Sequence, residues 1–157
     1  MRRQTLVRSA LAAAALVALA ACSSMGMQEA PPASSALMET YVATLVPGSE
    51  VPPAANSKGS GTFEMWLDIK TNEYSYKATW TGLTGAATMA HIHGPAEVGK
   101  NAGVVVPFPG AAGNTSAEGK GKLTQAQYGD LAAGLYYVNV HSAQYPGGEI
   151  RGQVQRK

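Results

Sequence analysis

The stretch GTFEMWLDIKTNEYSYKATWTG, residues 61–82, decides the fold class of this 157-residue chain. Apolar side chains occupy every second position in both of its halves, as they do in a strand with one buried face. The positions are Phe63, Met65, Leu67 and Ile69 in the first half, and Tyr74, Tyr76, Ala78 and Trp80 in the second. A short polar turn, KTNE, separates the two runs. Together they predict a β-hairpin.

Further runs of strand-like sequence lie on either side of the hairpin, with Gly or Pro near their ends. They are LMETYVATLVPG, GVVVPF, LYYVNVH and EIRGQV, at residues 37–48, 103–108, 135–141 and 149–154. Pro107 has no backbone N–H to donate, so its strand is expected at a sheet edge or a bulge. Many short strands with Gly and Pro at the turns predict an all-β antiparallel fold, either a β-sandwich or a barrel.

One short helix is predicted within LTQAQYGDLAAGL, residues 123–135. Thr124 is suited to the N-cap position, and Gln127 three residues later completes a capping-box pattern. Gly134 follows the apolar residues of this segment and is a helix stop signal. The predicted fold is therefore all-β with one short helix.

The first 22 residues, MRRQTLVRSALAAAALVALAAC, have the organisation of a secretory signal. Three arginines precede an apolar run that is too short to span a membrane. The last four residues, Leu19-Ala20-Ala21-Cys22, resemble the lipobox of bacterial lipoproteins, in which the cysteine is lipidated after cleavage. We predict a signal peptide over residues 1–21 and a lipid anchor on Cys22. An ordinary signal peptide with an incidental cysteine is the alternative.

The predicted anchor implies that the folded domain lies outside the cytoplasm. Residues 22–37 are rich in Ser, Ala and Pro and are interpreted as the lipidated cysteine and a flexible tether. Residues 38–157 then have the length of one domain. Ser23 follows the cysteine, and the lipoprotein resemblance implies the periplasmic face of the outer membrane if the host has two membranes.

Charge gives no indication of a nucleic-acid partner, and the cysteine content excludes an intrachain disulfide. The formal net charge of the chain is +2, and without the three arginines of the signal nine basic residues face ten acidic ones. No basic patch is left that would indicate a nucleic-acid partner. Cys22 is the only cysteine, so no disulfide can form within the chain.

The three histidines of the chain are predicted on the polar faces of two strands. In MAHIHGPA, alternation puts His91 and His93 on one face and the apolar Ala90 and Ile92 on the other. In YYVNVH the same rule puts His141 opposite the apolar residues. Neutral imidazoles bind copper, zinc, nickel or iron, so these histidines are candidate metal ligands. Exposed histidines that alternate by chance are the alternative.

Three further polar residues are predicted on the same outer faces. Asn139 or Glu149 is a candidate to accept the second ring N–H of a histidine and to fix its tautomer. Arg151 and Glu149 stand two residues apart and are candidates to orient His91 or His141. The alternative is that they form a surface or cross-strand ion pair, which contributes less than about 1 kcal/mol.

Three segments within residues 39–155 stand out: VPPAANSKGSGTFEMWL, YSYKATWTGLTGAATMAHIHGPA and GLYYVNVHSAQYPGGEIRGQV. Together they resemble the CHRD domain, first described in chordin. The resemblance implies a secreted or lipid-anchored protein, and it assigns no biochemical role. The plan is also similar to copper-zinc superoxide dismutase, an Ig-like β-sandwich with copper on the outer face. That similarity implies copper-ligand roles for His91, His93 and His141, with zinc as the competing metal.

The chain departs from the dismutase pattern in its number of ligands. No histidine lies between His93 and His141, so the bridging ligand and the zinc histidines are missing. The dismutase copper has four nitrogen ligands, and this chain offers three. The sequence therefore predicts a non-enzymatic binding module with a surface mononuclear copper site. The alternatives are a metal-free cell-envelope module that binds an unidentified protein through an exposed sheet face, and a dismutase-like redox enzyme.

Overall fold

The computed structural model describes residues 37–157. Nine strands and one α-helix form in this part of the chain: β1 (Met38–Leu45), β2 (Ser60–Asp68), β3 (Glu73–Thr81), β4 (Ala87–His93), β5 (Val104–Pro107), β6 (Ser116–Lys122), α1 (Gln125–Ala132), β7 (Tyr137–Ser142), β8 (Ile150–Gln153) and β9 (Gln155–Arg156). The predicted signal peptide, the lipidation of Cys22 and nearly all of the tether fall outside the described residues. Within residues 37–157, no helix has the length and apolarity needed to cross a membrane.

The strands form two antiparallel sheets that pack against each other. One has the order β6-β3-β2-β1-β9 and the other the order β5-β4-β7-β8. Only Val154 separates β8 from β9, so the end of the chain passes from one sheet to the other. A backbone bridge between Val46 and Arg151 joins the sheets at the same place. The predicted all-β sandwich with one short helix is confirmed.

The hairpin that predicted the fold class supplies much of the core. β2 and β3 pair in register from Ser60↔Thr81 to Leu67↔Tyr74. Their alternating apolar side chains are buried between the sheets, with Phe63 2% and Tyr76 3% exposed. The ring of Phe108, which lies just after β5, stacks on Tyr76 at 4.3 Å between centroids. Aromatic contact therefore joins the two sheets, as interdigitated side chains do in β-sandwiches.

The predicted start and stop of the helix and the predicted position of Pro107 are confirmed. Thr124 is the N-cap of α1, and its side chain and that of Gln127 form both hydrogen bonds of a capping box. Gly134 follows the helix with a φ of +73°, a conformation that favours glycine. β5, which contains Pro107, lies at an edge of its sheet, where a missing backbone donor does not break a ladder.

Strand β6, SAEGKGK, was not predicted from the sequence. Its inward positions are Ala117, Gly119 and Gly121, which gave no apolar alternation. A Cβ added to Gly119 would lie 2.7 Å from the ring of Tyr76, and one added to Gly121 would lie 2.5 Å from Tyr74 Oη. The tyrosines of β3 occupy the space that inward side chains of β6 would otherwise fill. The apolar signal for this strand therefore lies in its neighbour.

Candidate metal centre

The strand pairing between β4 and β7 brings the three histidines together. His91 lies opposite Asn139, His93 opposite Tyr137 and Met89 opposite His141. Ala90 precedes His91, and Ile92 lies between the two histidines of β4. Both are 1% exposed and lie in the core. His91 and His93 are therefore on the outer face of their sheet, and the strand register puts His141 beside them on that face.

The histidines are less exposed than a surface site would be. His93 is 9% and His141 is 6% exposed, while His91 is partly exposed. Alternation predicted the face correctly, but the expectation of a site on the surface is wrong for two of the three residues. The reason is that loops outside the sheet cover this face, and no strand periodicity reports their positions.

One ring nitrogen from each histidine lies within 4.8 Å of the other two. His91 Nδ1 and His141 Nε2 are 3.2 Å apart. The rings of His91 and His93 are nearly perpendicular, with an interplanar angle of 88°, and those of His91 and His141 meet at 68°. Three imidazoles thus converge from two strands with their edges turned toward a common region.

Backbone carbonyls hold two of the rings and fix their tautomers. His93 Nδ1 donates to the carbonyl oxygen of Ala102 at 3.0 Å, and His141 Nδ1 donates to that of Pro146 at 2.9 Å. Each ring consequently keeps its lone pair on Nε2. His93 Nε2 is buried and has no hydrogen-bond partner.

The pKa values keep all three imidazoles neutral near pH 7. Burial, followed by the neighbouring His141 and His93, lowers the pKa of His91 to about 4. Burial also lowers the pKa of His93 and that of His141, and it outweighs the hydrogen bonds from their rings to backbone carbonyls. Neutral imidazole is the form that binds metals, so no proton has to be displaced before a metal ion binds at neutral pH.

Glu149 does not lie with the histidines, which corrects its predicted role. The side chain is fully buried, and Oε1 accepts hydrogen bonds from Ser57 Oγ at 2.6 Å and from Thr84 N at 2.7 Å. Oε2 accepts from Thr84 Oγ1 at 3.0 Å. Glu149 precedes the first residue of β8 and follows Gly148, so the alternation of that strand does not apply to it.

Arg151 is neither a surface residue nor the partner of Glu149. It is 1% exposed, and its guanidinium carbon lies 3.4 Å from the centroid of the Tyr137 ring. The other side of the stack is His93, whose ring is 6° from parallel with that of Tyr137 and 5.0 Å from it. Because β7 lies between β4 and β8, Tyr137 separates Arg151 from His93. Arg151 therefore supports His93 through Tyr137, rather than orienting His91 or His141.

The segment after β4, residues 94–103, is the loop that covers this stack. Arg151 donates to Asn101 Oδ1 at 2.8 Å and to the Lys100 carbonyl oxygen at 2.5 Å. Ala102 N donates to Tyr137 Oη at 3.1 Å, and the Ala102 carbonyl accepts from His93. The same short loop therefore holds the ring of His93 and excludes water from it.

Asn139 is close to the cluster, and beside it lies a buried acid that the sequence did not single out. Asn139 lies opposite His91 in the pairing of β4 with β7; it is 3% exposed, and Glu50 is 4% exposed. Burial raises the pKa of Glu50 to about 7, against the opposing effects of Arg151, Val51 N and Asn139. Glu50 stands in the turn segment PGSEVPP, where no periodic pattern marks a residue as buried.

The Glu50→Gln substitution is expected to raise the free energy of unfolding at pH 8 by on the order of 2 kcal/mol. The folded-state pKa of Glu50, about 7, lies above the ordinary 4.5. The contribution of this residue to stability is therefore complete below pH 4.5 and is lost as the pH rises through 7. Glutamine stays neutral throughout. Denaturant unfolding of both proteins at pH 5 and pH 8 measures the effect, and an identical difference at both values would contradict it.

The residues at the cluster fit a metal ion bound by nitrogen. Two nitrogens bound to one ion at 2.0–2.1 Å are separated by at most about 4.2 Å. The 3.2 Å separation of His91 Nδ1 and His141 Nε2 already satisfies this condition. The 4.8 Å limit on the set requires only a small approach of the rings. A cation would also satisfy His93 Nε2, which is otherwise a buried acceptor without a donor.

The fold and the cluster define the class of protein to which the chain belongs. It is a small antiparallel β-sandwich with three convergent neutral imidazoles on the covered outer face of one sheet. Residues 41–154, well over half of the chain, match the CHRD domain family, and the chain belongs to that family. Comparison with curated proteins and with solved structures gave no match.

Proposed function

We propose that this protein is an extracytoplasmic binding module with a mononuclear metal site formed by His91, His93 and His141. The observation that carries the proposal is the convergence of three imidazoles whose nitrogens lie within 4.8 Å of one another. Two of the rings present a lone pair from Nε2, because their Nδ1 atoms donate to backbone carbonyls. Such second contacts orient metal-binding histidines in proteins.

Copper is the metal that this site favours, and zinc is its competitor. The donor set consists of imidazole nitrogens, which suit both metals, and divalent copper has the highest affinity in the series of divalent ions. The resemblance of His91, His93 and His141, by order along the sequence, to the copper ligands of copper-zinc superoxide dismutase supports the same choice. Metal buffering or transfer to another protein is consistent with a site that has three protein ligands and a partly exposed His91.

The proposed location rests on residues 1–22. The basic start, the short apolar run and Leu19-Ala20-Ala21-Cys22 support export and a lipid anchor on Cys22. In a host with two membranes, the anchor would hold the domain at the outer membrane, facing the periplasm. Metabolic labelling of expressing cells with a tagged fatty acid, with Cys22→Ser as the control, tests the anchor. Equal labelling of both proteins would contradict it.

The metal site is tested by titrating Cu²⁺ and Zn²⁺ into the full chain carrying Cys22→Ser, purified in a mild detergent so that no thiol competes. The same titration of a His91→Ala/His93→Ala variant is expected to show at least a hundredfold loss of affinity, because two of three ligands are removed. Met38→Leu, a change on the other sheet, serves as the matched control. Equal weak uptake by the histidine variant and the control would overturn the proposal.

A second candidate function is a metal-free module that binds a protein of the cell envelope. The observation in its favour is a row of hydroxyl side chains across the outer face of the larger sheet. Cross-strand pairing aligns Thr44, Thr62, Thr79 and Ser116. This candidate predicts no specific metal uptake, so the same titration separates it from the first.

A dismutase-like enzyme is the third candidate, and it requires a copper ion that changes oxidation state. If copper binds, the rate of superoxide consumption by the loaded protein decides the matter. Turnover no faster than that of an equal concentration of free copper would exclude this candidate. The three-nitrogen set favours that outcome, because it lacks the fourth nitrogen of the dismutase copper.

A further inference from the structure

A methionine lies next to the histidine cluster on the same face of the sheet. Met89 precedes His91 by two residues in β4 and lies directly opposite His141 in β7. Residues that oppose each other in an antiparallel pair project to the same side, with Cβ atoms about 4.5–5.5 Å apart. Met89 therefore borders His91 along its own strand and His141 across the ladder.

Met89 is exposed where a methionine would ordinarily be buried. Its exposed fraction is 47%, whereas Met65 of the core has 1%. The pairing register of β4 with β7 shifts between Ala87 and Met89, so the residues before Met89 leave the regular ladder. At 47% exposure the thioether is not held by core packing, and methionine has a flexible side chain that can rotate toward the imidazoles.

Other groups cover two of the three histidines. The Ala102 carbonyl and the parallel ring of Tyr137 cover His93, and the Pro146 carbonyl holds His141. His91 and Met89 remain as the more exposed residues of the group. The thioether of Met89 therefore lies at an exposed side of the cluster, next to the histidine that is most open to solvent.

We propose that Met89 is a fourth, soft ligand of the metal bound by the three histidines, and that it gives the site a preference for monovalent copper. Thioether sulfur binds copper(I) in preference to hard ions, whereas zinc is well served by imidazole alone. A three-nitrogen set without a carboxylate carries no negative charge, which suits an ion of low charge. This inference rests on the proposed metal site and specifies the oxidation state that it holds.

The test is a competition for copper(I) under anaerobic conditions, with ascorbate as the reductant and bicinchoninate as the competing chelator. The protein is the full chain carrying Cys22→Ser in detergent. Met89→Leu is expected to lower copper(I) affinity about tenfold, equivalent to about 1.4 kcal/mol, and to change zinc affinity less than about twofold. Met38→Leu, at a methionine that is 39% exposed on the other sheet, is the matched control and should match the parent.

X-ray absorption at the copper edge gives a second readout that a structural role of Met89 would not change. The copper(I)-loaded parent is expected to show a sulfur neighbour that Met89→Leu lacks. Unchanged copper(I) affinity in Met89→Leu, or the absence of a sulfur neighbour in the parent, would overturn this inference while leaving the histidine site intact. A parent protein that binds neither copper nor zinc would overturn the proposed function as well.

Discussion

Replacing Arg151 with alanine is expected to lower the free energy of unfolding by about 4 kcal/mol, because the change empties a buried site and leaves two acceptors without their donor. The guanidinium is 1% exposed and stacks on Tyr137. Its loss leaves the Lys100 carbonyl and Asn101 Oδ1 without their donor. It also leaves Glu50, which is 4% exposed, without the cation that lowers its pKa.

The dependence on pH distinguishes this effect from simple loss of packing. Without Arg151 the pKa of Glu50 rises further above 7, so the cost of its ionised form grows at alkaline pH. The deficit of the variant should therefore be larger at pH 8 than at pH 5. Arg156→Ala is the matched control, because Arg156 is 64% exposed in its ion pair with Glu39 and should cost less than about 1 kcal/mol. Equal losses in the two arginine variants would contradict the expectation.

Replacing Glu149 with alanine is expected to lower the free energy of unfolding by about 3 kcal/mol at pH 7, because it leaves buried donors without their charged acceptor. The change removes the acceptor of Ser57 Oγ, Thr84 N and Thr84 Oγ1, and buried donors without an acceptor are costly. Burial raises the pKa of Glu149, but hydrogen bonds from Ser142, Ser57 and Thr84 outweigh it and lower the pKa below the ordinary 4.5.

Because the pKa of Glu149 is lowered, the stability difference between the parent and Glu149→Ala is expected to shrink in acid. The stabilising contribution of Glu149 is present above pH 4.5 and is lost as the pH falls through its lower folded-state pKa. The parent should lose part of its advantage over Glu149→Ala in acid, which denaturant unfolding at pH 7 and pH 3 measures. Glu73→Ala, at an exposed position of β3, is the control. A loss of metal affinity in Glu149→Gln as large as that in the histidine variant would contradict the placement of Glu149.

The sequence predicted those elements of the fold whose signal lies within their own residues. The β2–β3 hairpin, the capping box at Thr124 and the edge position of Pro107 each depend on a pattern of a few adjacent positions. β6 was missed because its inward positions are glycines that make room for Tyr74 and Tyr76. The space between two strands is a joint property of both, and neither sequence alone reports it.

The residues of the candidate site were likewise predicted correctly only where the signal lay within their own strand. Alternation predicted that His91, His93 and His141 lie on outer faces, and the pairing of β4 with β7 brings them together. The predicted role of Glu149 was wrong, because this residue lies outside the strand whose alternation was used to place it. Glu149 precedes β8 and binds Ser57, and backbone carbonyls instead of polar side chains accept from His93 and His141.

By itself the sequence determined the class of the fold and the face that the three histidines occupy, because side-chain direction in a strand follows from a two-residue period. Only the tertiary structure decided that His93 and His141 are covered, that Arg151 is buried on Tyr137 and that Met89 borders the cluster from its exposed side. These features arise where a loop folds over the sheet or where two strands come into register. Both depend on contacts between residues far apart in the chain, and no local period encodes such contacts.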